Sequence, residues 1–425
     1  MKTPAVRIAF LLFPFLCSSC SEEQKLDEFT YINTSHLEHL YEELIIGTDT
    51  LGAVWIYCDA PDYQVVTDDD EGFTCVDDVA RALVFYCRSY NKNATQEKHE
   101  KINQMLAFLR HMQGYNNYFY NFMFPNEAIN TLHPNSVAGK NFWSWRACWA
   151  LSEVCLTTDP DLESLRSLAA ASLEMLIPKI IAIADEYPGV ESFDGVQIPA
   201  LAAHYGSDQL ALMTVVLSNY YSYVGANEIL NTIEKMGEIL TGTRITDTIA
   251  ERFAFLSWKN TWHAWGNAQS YALLCAGEVT GRGDFNEAAI EEITNFYPYI
   301  LDAGLTGFSA KKENGILSTF DQRYYPQIAY ALRPMVFAAV KAWEITGESR
   351  FAEIAADAGS WYLGNNPAGK AMYDTLTGRC FDGIDGPASV NYNSGAESTI
   401  EALLALQCIE SAEVPFQKLR NKTGD

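Results

Sequence analysis

Two places in the chain bring carboxylates to a point where a helix should begin. Asp77 and Asp78 stand in GFTCVDDVARALVFY (72–86), after an acidic loop with Asp68, Asp69, Asp70 and Glu71. Apolar residues then recur at Val79, Leu83, Val84 and Tyr86 with helical spacing. Far along the chain, Glu397 opens a second such stretch, Asn393-Ser394-Gly395-Ala396-Glu397-Ser398-Thr399. A carboxylate at a helix start is an ordinary N-cap unless the fold sets a second acid against it. If the two places meet, one acid can donate a proton while the other carboxylate accepts one or attacks. Arg81, a turn beyond the aspartates, is placed to pair with Asp78 and orient it.

Whether they meet depends on the helices that carry them. Helical patterns come in pairs: 77–90 with 99–113, 144–156 with 162–184, 207–223 with 227–240, 263–279 with 285–302, and 326–345 with 350–363. A last apolar helix, 395–410, has no following partner, and the amphipathic stretch 36–46 is expected to supply one. Comparable points near the first helix of each unit (Asp78, Arg146, Asp208, Trp265, Gln327, Gly395) recur about every 60 residues, the length of a helix, loop, helix, loop unit. First members such as AYALRPMVFAAVKAW and STIEALLALQCI are apolar all round; second members such as HEKINQMLAFLRHM and NEILNTIEKMGEIL carry one charged face. The first kind should be buried and the second peripheral. The expected fold is therefore all-α, an (α/α)6 toroid of six hairpins, with small β elements in loops such as 51–57 and 115–124. Ring closure sets the first inner helix beside the last, and Asp77 and Asp78 beside Glu397.

The net charge of −25 sets the chain against nucleic acid and anionic membrane surfaces as partners. Lys2 and Arg7 before the short apolar run 8–16, then Cys17-Ser18-Ser19-Cys20, resemble a bacterial lipoprotein signal with Cys20 as the lipidated residue. Residues 1–19 are expected to be the signal, 20–35 a tether, 36–410 the barrel and 411–425 a tail, the whole held as a monomer at the outer membrane. Ser21, Glu22 and Glu23 resemble the acidic tag of surface-exposed lipoproteins. Cys87, Cys148, Cys155, Cys275 and Cys408 fall inside apolar helical patterns and should be buried free thiols. Cys58 and Cys75 could pair across a loop. No metal spacing occurs in the mature chain, and no metal or cofactor is expected.

The loops entering the inner helices collect polar and aromatic residues: Trp143, Trp145 and Arg146; Tyr205, Asp208 and Gln209; Trp262, His263, Trp265 and Asn267; Asp321, Arg323, Tyr324 and Tyr325; Asn391, Tyr392, Asn393 and Glu397. In a ring of parallel inner helices all of these lie on one face, where a small-molecule site would form.

Trp361-Tyr362-Leu363-Gly364-Asn365-Asn366-Pro367 resembles a segment near the end of glycoside hydrolase family 9 catalytic domains, within the six-hairpin glycosidases. In that family the segment precedes a helix carrying the general acid, and Glu397 is the matching residue. The family's base lies just before its first inner helix, where Asp77-Asp78 stands with different spacing; its histidine and arginine motif has no counterpart here. The pair DDVARAL and NSGAEST is also similar to that of helical toroids found with glycosyltransferases. The resemblance implies an inverting glycoside hydrolase, its two carboxyl groups about 6.5–9.5 Å apart. Glu397 is then the acid and Asp77 or Asp78 the base, with Asp78 favoured for the cleft and Asp208 and Asp321 in reserve. Trp143, Trp145, Trp262, Trp265 and Tyr324 would stack on carbohydrate; Arg146, His263, Gln327 and Asn393 would bond its hydroxyls. Rival readings are a polysaccharide lyase using Tyr324, His263, Asn267 and Arg146, a sugar epimerase, for which His263 alone stands at the mouth, and a non-catalytic glycan-binding lipoprotein.

Overall fold

The computed structural model describes residues 29–247 and 252–424, and Tyr31–Asp425 forms the folded body. Its helices make six hairpins: α1 (Val76–Lys92) with α2 (Gln96–Met112), α3 (Phe142–Cys155) with α4 (Glu163–Glu174), α5 (Ser207–Val224) with α6 (Asn227–Thr241), α7 (Gln269–Thr280) with α8 (Gly283–Asn295), α9 (Leu332–Thr346) with α10 (Ser349–Ser360), and α11 (Ala396–Glu410) with α12 (Glu413–Thr423). The odd-numbered helices pack in sequence and α11 closes on α1, so they form the inner ring of an (α/α)6 toroid. Burial follows the sequence pattern. In α11 every residue from Ser398 to Leu406 is buried, whereas α2 buries Ile102, Met105, Leu106, Phe108, Leu109 and Met112, one stripe at helical spacing.

Several boundaries differ from expectation, each for a local reason. Helix 162–184 is broken into Glu163–Glu174 and Ile177–Ile183, and helix 285–302 into Gly283–Asn295 and Tyr297–Asp302. Pro178 and Pro298 stand just after the breaks, where a proline lacks the N–H and collides with the preceding turn. The stretch 36–46 is a short helix, Ser35–Leu40, followed by the strand Tyr41–Ile46, which pairs antiparallel with Asp49–Val54. The outer partner of α11 is α12, formed by residues expected to be a tail and packed on α10. Tyr31, expected in the tether, is a buried part of the core. Cys20 and the signal segment lie outside the described residues.

Two- and three-stranded antiparallel sheets fill the loops. Thr74–Cys75 pairs with Phe122–Met123 and fixes the approach to α1. The hairpin Gly307–Glu313 with Ile316–Arg323 joins Thr261–Trp262 ahead of α7. Cys58 and Cys75 are both free thiols. Among the described residues no helix is long and apolar enough to cross a membrane.

Candidate active site

A cavity of about 550 Å³ opens where the inner helices begin. Its polar wall is Asp77, Arg81, Arg146, Asp208, His263 and Glu397, from the first turns of α1, α3, α5 and α11 and the loop before α7; Phe142, His204, Tyr205, Trp258 and Trp265 supply rings. The toroid thus draws together residues more than 300 positions apart.

Arg81 is the hub. It is only 1% exposed, and its Nη1 lies 2.6 Å from Asp78 Oδ1. Its Nη2 lies 3.1 Å from Asp77 Oδ2 and 2.8 Å from Glu397 Oε2. Nε is 2.9 Å from Glu401 Oε1, a contact of charges without hydrogen-bond alignment. Arg146 Nη1 donates to Asp77 Oδ2 at 2.7 Å and its Nη2 to the Tyr330 hydroxyl at 3.0 Å. Arg333 Nε donates to Glu401 Oε2 at 2.6 Å, and Tyr330 offers its ring face to Arg81, Arg146 and Arg333. Buried charges persist when paired in this way. The cluster holds four carboxyl groups against three guanidinium groups, so one proton neutralises it. Withdrawal from water raises Asp78 to about 7, against the pull of Arg81 and with Glu397 and Asp77 adding to the rise. Desolvation also raises Asp77 and Glu397 while Arg81 opposes it; the group titrates as a unit.

Neither aspartate caps α1 through its side chain. That role falls to Cys75, whose sulfur accepts from the Asp78 N–H at 3.4 Å. Asp78 is buried beneath the floor between Arg81 and Cys75, and Asp77 faces the cavity with Oδ1 buried and unbonded. The cleft position expected for Asp78 therefore belongs to Asp77. Because one nitrogen touches both Asp77 and Glu397, their nearest oxygens are closer than the about 6.5–9.5 Å that leaves room for an inverting water.

Asp208 has a different setting. It pairs with no lysine or arginine among the described residues, accepts the Gln209 N–H at 2.8 Å, and is raised by desolvation to about 7. Two glycines make room for it. A Cβ on Gly206, whose φ is +91°, would stand 2.5 Å from Asp208 Oδ1, and one on Gly266 would stand 2.8 Å from Oδ2 and 2.9 Å from His263 Nδ1. The positive φ of Gly206 favours glycine, and a side chain at Gly266 would displace Asp208 or His263. Ser257 ties the two sides together: its carbonyl accepts the Ser207 N–H and its hydroxyl accepts the His263 N–H. His263 Nδ1 is buried without a partner, and burial with nearby Arg323 holds the ring neutral, down at about 4.

Of the residues singled out in the sequence, Asp77, Arg81, Arg146, Tyr205, Asp208, Gln209, His263, Trp265 and Glu397 line the cavity. The others stand elsewhere. Trp143 donates to the Phe119 carbonyl, and Trp145 is buried against Gln209. Trp262 is core, stacked on Phe308. Asn267 bonds the Ala331 carbonyl, and Asn393 accepts the Ala60 N–H. Gln327 joins Gly304 to Trp361 in a second cavity, which Asn365, Asn366 and Pro367 of the family 9-like segment also line. Asp321, paired with Arg323, and Tyr324 are exposed on and just past the long hairpin. Sequence reasoning passed over Phe142, His204 and Trp258. His204 lies in the last turn of the short helix Ala200–Tyr205, two residues before Gly206, and Trp258 precedes the turn into Thr261–Trp262, so a fuller reading of the loop approaches would have found both.

Solved structures share this (α/α)6 toroid fold at low sequence identity. A sugar epimerase from a ruminal bacterium superposes with a TM-score of 0.62 at 14% identity, over 89% of this chain and 95% of that one. Cellobiose 2-epimerase from Bacillus thermoamylovorans B4167 gives 0.59 at 13%, over 88% and 95%. A family 76 glycoside hydrolase from a bovine Bacteroides thetaiotaomicron strain gives 0.54 at 11%, over 90% and 80%. No family model and no curated protein matches the chain.

Proposed function

We propose that the chain is a glycoside hydrolase in which Asp208 protonates the leaving oxygen and Glu397 is the opposing carboxylate. The observation that carries this is the contrast between two acids on one cavity. Asp208 is clasped by glycines, has no cation beside it and is raised to about 7; Glu397 is bound to Arg81 and its side chain is 44% exposed. Two carboxyl groups with such unlike surroundings divide naturally into acid and base. Asp77, held by Arg81 and Arg146, would fix the Arg81 guanidinium. Trp258 and Trp265, each with an exposed face, would stack on sugar rings. Solved structures of this fold include a glycoside hydrolase, cellobiose 2-epimerases and a D-mannose isomerase, which supports a sugar as the ligand. Anchoring through Cys20 belongs to the same proposal. The test is incubation of purified protein with an oligosaccharide panel, following new reducing ends and product anomer by NMR; shortened products lost in Asp208→Asn are expected, and chains left intact would refute hydrolysis.

A second reading, epimerisation or isomerisation, is favoured by one observation: His204 and His263 both line the cavity, where the sequence promised only His263. Against it, a histidine held near 4 is a weak base at neutral pH. A change of sugar identity without chain shortening would select this reading. The lyase set has no common site, since Tyr324 and Asn267 do not line the cavity.

A further inference from the structure

We propose that this cavity selects uncharged sugars and rejects glycans bearing carboxylate, sulfate or phosphate; the inference rests on the carbohydrate reading above and adds the substrate class. An acidic sugar needs a cation with free donors, most often an arginine fork. Among the described residues the cavity wall holds two such cations, Arg81 and Arg146, and each is already committed. Arg81 presents Nη1 to Asp78 and Nη2 to Asp77 and Glu397, and its buried Nε faces the Glu401 charge without a hydrogen bond. Arg146 gives Nη1 to Asp77 and Nη2 to Tyr330. Both guanidinium groups are buried, at 1% and 4% exposure, with aromatic faces against them. An entering anion would have to displace a carboxylate that cannot leave its helix, and would meet Asp77 and Glu397 as like charges.

What the wall does offer suits hydroxyl groups. The half-exposed Glu397 carboxylate is an acceptor on the cavity wall, and Asp77 Oδ1 and His263 Nδ1 stand unbonded just beneath its surface. An unsatisfied buried acceptor costs free energy until a donor reaches it, and a neutral sugar is dense in O–H donors. The net charge of −25 discourages approach of acidic polymers from farther out.

The test is calorimetric binding of matched pairs to the full-length protein: galactotetraose against tetragalacturonate, and cellotetraose against its sulfated form, with cleavage followed separately. At least one neutral tetrasaccharide should bind, and its acidic counterpart should bind about tenfold more weakly or worse at low salt. Asp77→Ala, checked for folding by its thermal melt, frees Arg146 Nη1, leaves Arg81 Nη2 with Glu397 alone and should narrow that ratio about tenfold. Acidic members binding as well as neutral ones in the wild type, or no neutral member binding, overturns the proposal whatever the variant does. Neutral glycan bound but never cut refutes hydrolysis and leaves the selectivity standing; acidic glycan bound and cut does the reverse.

Discussion

Replacing Asp208 by asparagine should cripple oligosaccharide cleavage and make the protein more stable, but only above acid pH. In the folded chain the Asp208 carboxyl is held at about 7 instead of 3.8, while the unfolded chain keeps the ordinary value. The folded state therefore keeps its proton through the range in which the unfolded state has lost one, so wild-type stability falls as pH rises from about 4 to about 7 and levels off above. A carboxyl held about 3 pH units high costs ~4 kcal/mol once ionised; for a side chain that keeps some solvent contact, about 2 kcal/mol is the working figure. Asparagine never ionises and its carbonyl can still accept the Gln209 N–H. Asp78 and Glu292, also held near 7, titrate alike in both proteins and drop out of the difference. Urea unfolding at pH 4, 6 and 8 should give a gap near zero at pH 4 that opens in favour of the variant by about 2 kcal/mol at pH 8. Loss of a general acid should cost about 10²–10⁴-fold in rate. A gap independent of pH, or a less stable variant at pH 8, would refute the reasoning about Asp208.

Glu397→Gln should lose cleavage with glycan binding and melting temperature kept, because the amide still fits beside Arg81; retained turnover would remove Glu397 from the reaction. Arg81→Met leaves four carboxyl groups without their shared cation and should destabilise by about 3–5 kcal/mol at pH 7, read by urea midpoint; a loss under 1 kcal/mol would mean that the cluster does not need it. Gly266→Ala pushes a methyl group to 2.4 Å from His263 Cε1 and 2.8 Å from Asp208 Oδ2, so kcat should fall more than tenfold with the fold intact by circular dichroism. Cys20→Ala should abolish incorporation of labelled palmitate in a bacterial host; equal labelling would dismiss the lipoprotein reading.

How much of this could be read from the sequence depended on whether a feature has a period. AYALRPMVFAAVKAW and HEKINQMLAFLRHM differ in charge placement, and that difference alone orders inner and outer rings. α12 escaped because EVPFQKLRNKT is largely polar and buries only Pro415 and Leu419, too few for a visible stripe. Within the site, Asp77 and Glu397 were legible because each opens an inner helix. The choice between Asp77 and Asp78 was not, since it depends on Arg146 from the next hairpin and on a cysteine doing the capping. Trp262 and Trp145 looked like platform residues by their place before inner helices, yet both are core; side-chain direction in an aperiodic loop follows from tertiary contacts. Asp321 and Tyr324 were misplaced for a related reason, because the hairpin Gly307–Glu313 with Ile316–Arg323 intervenes before α9 begins.

The division of labour between Asp208 and Glu397 is tested most directly by the pH dependence of kcat/KM on a neutral oligosaccharide, repeated with an aryl glycoside whose leaving group needs no proton. The account predicts that the oligosaccharide rate falls with an apparent pKa near 7, that the aryl glycoside lacks this fall, and that Asp208→Asn still cleaves the aryl glycoside. Equal loss of both substrates in Asp208→Asn, or an oligosaccharide rate unchanged from pH 5 to 9, would contradict it.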